Sequence, residues 1–157
     1  MISIENAEQN SILAVIFVVD NILFSLDASI IQEVVQVKKI TPVHHAPTYI
    51  IGVMNLRGRV VTVIDLGTRL EMQQVEINDQ SRILIVEWKQ EYIGVLVSSV
   101  SEVVQIEKGD IKPSPGNLNG VQQEFITGVF KRMDQTHASL LDIDKLLDPE
   151  SVDNEKK

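Results

Sequence analysis

Three histidines, His44, His45 and His137, are the first residues whose type could hold a metal or move a proton. His44 and His45 are adjacent, and His137 lies far along the chain. Neighbours on an extended segment point to opposite sides, so the pair does not converge on one ion. No HxH or HxxxH spacing occurs, and no acidic residue joins them closely. They read as loop histidines, with no metal and no cofactor expected. Asp65, Asp142 and Asp144 have the chemistry for acid–base work. Asp65 and Asp142, however, close apolar runs, where an aspartate turns the chain and accepts from nearby backbone N–H groups. Ser98, Ser99 and Ser101 lie outside any GxSxG elbow. Gly52, Gly58, Gly94 and Gly128 are scattered singly, with no phosphate-cradling GxGxxG or GxxxxGK. They read as tight turns or close backbone approaches. The chain has no cysteine, which removes disulfides and thiolate chemistry. None of these groups makes a case for an enzyme.

Arg57 is different. It stands in GVMNLRGRVVTVIDL (residues 52–66), a polar elbow between two apolar runs. Its planar five-donor fork suits carboxylates and carbonyls at an interface. From residue type alone, a solvated turn arginine is the simpler reading, since most surface ion pairs contribute little. A second exposed element beside it favours contact. Ile31, Glu33 and Val34 supply the candidate, mixing apolar and acidic character at the end of an expected short helix.

The elements that must position this elbow are strands. Residues 13–19 and 22–26 flank Asp20-Asn21 and read as a hairpin. Asp27 and Ser29 are placed to cap a short helix through Ile30, Ile31 and Glu33, with residues 34–37 returning to strand. The prolines of TPVHHAP (41–47) make an extended connection. Residues 48–51 are expected to form a helical turn, 52–56 and 60–66 paired strands, and 68–78 an exposed loop. The second half reads as strands 82–88, 92–98 and 100–106, with a turn at 89–91. A long loop follows at 108–120, then strands 125–130 and 137–143 and a short helix at 143–147. Each half repeats the architecture of the other, but not its residues. Short strands at this spacing with few helices predict an all-β fold of two small barrels.

Of 157 residues, 44% are hydrophobic and 4% aromatic, so a mainly β-branched and Leu core is expected, which favours strands. Lys and Arg total 14 against 22 Asp and Glu, a net charge of -8. Duplex binding needs a positive face, and Lys38-Lys39 and Lys131-Arg132 are too small to supply it. A single-strand-binding barrel needs exposed aromatics beside basic residues, whereas these aromatics lie mostly in apolar runs. The start of the chain lacks the pattern of a signal peptide, and the apolar run at 12–19 is shorter than the roughly 20 residues of a spanning helix. An intracellular chain without direct membrane insertion is expected.

Several segments appear in series: IIQEVVQV (30–37), APTYIIGVMNLRG (46–58), VVTVIDL (60–66), ILIVE (83–87), YIGVLV (92–97), VSEVVQI (100–106), IKPSP (111–115), FITGVF (125–130) and LLDIDKLL (140–147). In order and spacing, residues 13–147 resemble the CheW family, the coupling proteins of bacterial chemotaxis. The resemblance implies two SH3-like five-stranded β-barrels packed side by side, with a few short helices. It implies one CheW-like domain at 12–148, with 12–78 mostly in the first barrel and 80–148 mostly in the second. Terminal strands are open to exchange between them, and 1–11 and 149–157 are flexible tails. It implies a non-catalytic adaptor joining chemoreceptor cytoplasmic tips to the regulatory domain of a chemotaxis histidine kinase. Such an adaptor is cytoplasmic, recruited to membrane-associated arrays, and able to form rings with kinase domains. Carried over by position, Ile31, Glu33, Val34, Gly52, Asn55, Leu56, Arg57 and Gly58 are the receptor-binding residues. Val95, Val97, Val100 and Val103 are the kinase-binding candidates, on strands placed in the second barrel. Thr62 stands where the family usually has proline, and Ser98 where aspartate is common. The rival readings are a coupling module for another kinase pathway, such as surface motility, and a small ligand-binding barrel.

Overall fold

Apolar, largely β-branched runs separated by turn residues recur along this chain, and the described residues form ten strands. The computed structural model describes residues 10–114 and 123–149. Residues 1–9 and 150–157 of the expected tails 1–11 and 149–157, and residues 115–120 of the expected loop, lie outside the described residues. The strands are β1 (Ser11–Val19), β2 (Ile22–Asp27), β3 (Ile31–Gln36), β4 (Ile50–Leu56) and β5 (Arg59–Asp65). They continue as β6 (Arg82–Trp88), β7 (Glu91–Val97), β8 (Ser99–Glu107), β9 (Ile126–Lys131) and β10 (His137–Leu141). Two short helices, α1 (Leu66–Arg69) and α2 (Ile143–Leu147), follow β5 and β10.

Three two-residue turns close β1–β2, β4–β5 and β6–β7. Each has positive φ at both central residues: Asp20 and Asn21 at 51° and 63°, Arg57 and Gly58 at 51° and 84°, Lys89 and Gln90 at 50° and 66°. Paired positive φ marks the turn whose twist matches that of the flanking strands. Asn and Gly adopt it readily, while lysine and glutamine do so under the pull of the strands they connect.

The strands form two five-stranded sheets, in the orders β8-β1-β2-β10-β9 and β3-β6-β7-β5-β4. All neighbours are antiparallel except β2 with β10 and β5 with β7. The sheets are therefore not the two halves of the chain. The first hairpin of each half pairs with the last three strands of the other. Ala14, Ile16, Phe130, Ala138 and Leu140, with Leu23, Val104 and Ile106 beside them, fill the first sheet with side chains from all five strands. A larger cluster, including Phe17, Leu26, Met54, Val63, Ile85 and Phe125, runs through the second sheet and between the two.

Several local expectations change. The helix expected through Glu33 is only a 3-10 turn at Ala28–Ile30, capped by Asp27, whose carboxylate accepts from Ser29 N at 2.9 Å. Ile31 and Glu33 already belong to β3, because Ile-Gln-Glu-Val-Val favours pairing with β6 over continuing a helix. The turn before β4 ends with Ile50 N donating to Pro47 O, and Ile50 and Ile51 are strand rather than helix. Ser11 opens β1, and Asn10 O accepts from Lys108 N at 2.7 Å, so residues 10–11 belong to the fold and not to a tail. Residues 68–78 are not simply exposed: Arg69, Leu70 and Val75 are buried. Asp65 holds that segment in, accepting from Thr68 N and from Val75 N.

Candidate functional site

The elbow is the turn of an edge hairpin. β4 lies at one edge of its sheet and β3 at the other. Asn55 Oδ1 accepts from Gly58 N at 3.0 Å, which fixes the two-residue turn. Arg57 leaves this turn and reaches across to Glu33 on β3. Its Nη1 donates to Oε2 at 2.9 Å and its Nη2 donates to Oε1, a two-pronged pair. The pair thus bridges the two edge strands of one sheet. Its side chains keep 58% and 32% of their exposure, so the guanidinium remains open to a partner. The hydrogen bond from Arg57 holds the Glu33 carboxyl below the ordinary carboxylate range, with the charges of Arg57, Arg59 and Lys38 acting in the same direction. The same bond raises the Arg57 guanidinium further.

The residues singled out by sequence do not all reach this surface. Asn55, Arg57, Gly58 and Val34 are exposed, and Ile31 and Glu33 are half-buried. Leu56 is core at 2% exposure. Gly52 is also buried and does structural work: at φ 152° a Cβ there would lie 2.3 Å from Thr41 O. This close approach lets the 41–47 connection bridge to Val53, with both Thr41–Val53 backbone bonds at 2.8 Å. Sequence position alone did not separate these two from the surface set, because burial alternates within a single strand. It also passed over Val60, which is 65% exposed in the same hairpin, and Arg59, whose guanidinium lies 4.2 Å from the centre of the Tyr92 ring.

Among the other four candidates, Val95 and Val97 are fully buried in β7. They cannot touch a partner without opening the core. Val100 is half-buried and Val103 is 57% exposed, both on β8. The two strands expected to share a barrel are separated, β7 in one sheet and β8 in the other. In β8 the pairing sets Gln105 opposite Leu13 and Val103 opposite Val15, so Leu13 and Val103 are diagonal neighbours on one face. Leu13 is 52% exposed.

The remaining chemistry-bearing residues have structural partners. Asp65 is 1% exposed and spends its oxygens on backbone N–H groups. Asp142 caps α2 by accepting from Asp144 N and Lys145 N at 3.0 and 3.3 Å, and Asp144 accepts from Trp88 Nε1. His44 and His45 are exposed on the connection before β4. Among the described residues no three His, Cys, Asp or Glu side chains gather as metal ligands, and no helix is long and apolar enough to cross a membrane. Thr62 sits in β5 with strands on both sides, and Ser98 N donates to Val18 O where β7 gives way to β8.

Arg69 has no counterpart in the sequence reading. It is 2% exposed. Its Nε donates to Leu146 O at 2.6 Å, and its Nη2 donates to Lys145 O and Asp148 O at 3.1 and 2.9 Å. Its guanidinium lies between the rings of Tyr49 and Phe125, at 4.6 and 4.9 Å. A polar context, TRLEMQQ, concealed it.

The CheW-like domain model matches residues 13–151. A chemotaxis protein CheW from Klebsiella aerogenes is 30% identical over 145 residues, covering 90% of this chain and 87% of that protein. The CheW of Rhizobium meliloti is 36% identical over a shorter stretch, 57% of this chain and 58% of its own length. Among solved structures, the scaffolding protein TtCheW from Thermoanaerobacter tengcongensis superposes with a TM-score of 0.80 at 30% identity, covering 89% of this chain and 90% of that one.

Proposed function

The chain belongs to the CheW-like family, and from that premise we propose that it is a non-catalytic coupling protein of a chemotaxis system. Its two SH3-like barrels act as one rigid adaptor between a chemoreceptor cytoplasmic tip and the regulatory domain of a histidine kinase. The observation that carries this reading is the family match across nearly the whole described fold, joined to an exposed arginine–carboxylate pair on the elbow that the resemblance assigns to the receptor. In this reading Arg57, Glu33, Asn55, Gly58, Val34 and Ile31 meet the receptor tip, an amphipathic helical hairpin that offers apolar anchors and charge. Gly52 and Leu56 hold that surface in shape from below. Val103, with its neighbour Leu13 and the adjacent Val100, offers the apolar patch for the kinase domain. Both partners then bind one β unit, in the cytoplasm at membrane-associated arrays.

The test is direct binding of the purified chain to a receptor-tip fragment and to a kinase regulatory domain, separately and together. Arg57→Ala is expected to weaken the receptor arm and spare the kinase arm, while Val103→Glu does the reverse. Binding of neither fragment by the parent chain rules the proposal out. Capture of a kinase from another pathway in place of the chemotaxis kinase moves the chain to the rival coupling role.

A further inference from the structure

Two arginines leave the elbow, and they are spent differently. Arg57 donates through Nη1 and Nη2 to Glu33, so that pair is neutral overall. Arg59, the first residue of β5, is exposed. Among the described residues its side chain makes no ion pair and donates no hydrogen bond. What it has instead is a ring. Its guanidinium carbon lies over Tyr92, 4.2 Å from the ring centre. β5 runs parallel to β7 with Thr62 beside Ile93, which brings the start of β5 to Tyr92 near the start of β7. A cation held over an aromatic face is attracted by the ring and keeps its N–H donors for a partner. The ring also restricts a long side chain in advance, which lowers the ordering cost when a partner binds.

The surroundings favour an anion at this place. The hydrogen bond from Arg57, with the charges of Arg57, Arg59 and Lys38, holds the Glu33 carboxyl low. Three cations thus act on one carboxylate, in a chain whose net charge is -8. Glu87 stands opposite Tyr92 on β6, but its Oε1 accepts from Gln32 Nε2 at 3.1 Å. Beside the cation, Val60 offers an apolar side chain that is 65% exposed. A helix docking here would therefore meet a charge and an apolar contact side by side.

We propose that Arg59, held over Tyr92, receives an acidic side chain of the partner helix, while Val60 meets the apolar residue next to it. The proposal rests on the coupling reading, in which that partner is the receptor tip. To that reading it adds a specificity residue and a requirement on the partner: a Glu or Asp flanking an apolar anchor on the docked face. Arg57 and Glu33 face the same helix as a neutral pair, and Arg59 supplies the net charge.

The experiment titrates the purified full chain with a soluble two-helix tip fragment of a chemoreceptor from the source organism, at low and at high salt. At low salt Arg59→Ala is expected to weaken binding about fivefold and Arg59→Glu more than about tenfold, with thermal midpoints unchanged. High salt should shrink both differences, because it screens an exposed charge. Tyr92→Leu, which leaves the cation but removes its platform, is expected to cost about twofold, and Tyr92→Phe, which keeps the ring, nothing measurable. Acidic residues of the tip are then changed to lysine one at a time, and one of them should restore binding to Arg59→Glu. Unchanged binding in Arg59→Glu, or a loss that no charge reversal restores, overturns the inference and leaves the coupling role standing. A parent chain that binds no tip fragment overturns both.

Discussion

The two edges of each sheet are joined by an arginine and a glutamate, but the two joints differ. In the sheet holding β3 and β4, Arg57 emerges from a tight two-residue turn and its hydrogen-bond partner is the half-exposed Glu33. In the other sheet Arg132 follows β9 and meets Glu102 on β8, with Nη2 at 2.5 Å and Nε at 2.9 Å. Arg132 also donates to Thr136 Oγ1 at 3.0 Å and pairs with Asp134, inside the longer turn before β10. Its side chain is 18% exposed, against 58% for Arg57. One seam therefore consumes its arginine within its own turn, and the other presents it to solvent. The same pair of residue types is structural at one seam and available for contact at the other, and turn length makes the difference.

The sharpest break of this comparison is expected at the glycines beneath the two seams. Gly52→Ala should cost about 3 kcal/mol or more in urea unfolding, since its backbone is strained for any side chain and Thr41 O blocks the space. Gly128→Ala should cost less, about 1–2 kcal/mol, because its φ lies outside the left-handed region, its nearest carbonyl, Lys112 O, stands at 2.9 Å against 2.3 Å for Thr41 O at Gly52, and its tightest contact, Ile111 Cγ2, is a side chain that can give way. Equal losses at the two sites would mean the two approaches are equally rigid.

Arg57→Ala is expected to leave thermal stability nearly unchanged while weakening receptor-tip binding about tenfold or more. Arg132→Ala should do the opposite, lowering stability by about 1 kcal/mol, through lost packing as well as lost charge, and sparing that binding. A loss of receptor binding in the Arg132 variant equal to that of Arg57 would erase the distinction between the seams.

The smallest effect is one of pH. Arg57 holds the Glu33 carboxyl below its ordinary range. A depressed carboxyl keeps its pair above the unfolded value and loses it as pH falls through the folded one. The Glu33–Arg57 contact, followed by NMR titration of the Glu33 carboxyl, should therefore persist through mildly acidic pH and titrate lower than in Arg57→Ala. At the other seam the corresponding low titration belongs to Asp134, which Thr136 stabilises by hydrogen bonds from its hydroxyl and N–H. Removing that hydroxyl with Thr136→Val should raise the Asp134 midpoint and leave Glu33 untouched.

Much of this was legible in residue order, and the failures have local causes. Asp20-Asn21 and Arg57-Gly58 announced their hairpins because few residues tolerate positive φ. The expectation that Asp65 and Asp142 turn the chain and accept from nearby backbone N–H groups holds at both, where each caps the helix that follows. The helix expected through Glu33 shrank to three residues because ladder bonds to β6 outweigh a cap that serves one turn. Leu56 and Gly52 were grouped with Arg57 by position along the chain, yet burial separates them from it. Val95 and Val97 look like any apolar strand residues, and only their neighbours make them core.

The sequence by itself determined most of the strand segments, Ile31–Glu33 and Ile50–Ile51 aside, since β-branched runs and turn chemistry act over a few residues. It also carried the family, through the ordered series around Asn55-Leu56-Arg57-Gly58. The tertiary structure alone decided that the hairpins cross between halves, that Glu33 receives Arg57, and that Arg69 reaches the backbone carbonyls of Lys145, Leu146 and Asp148. Those outcomes depend on which edges meet across long stretches of chain. That choice is made by the shared core, where residues distant in sequence leave water together.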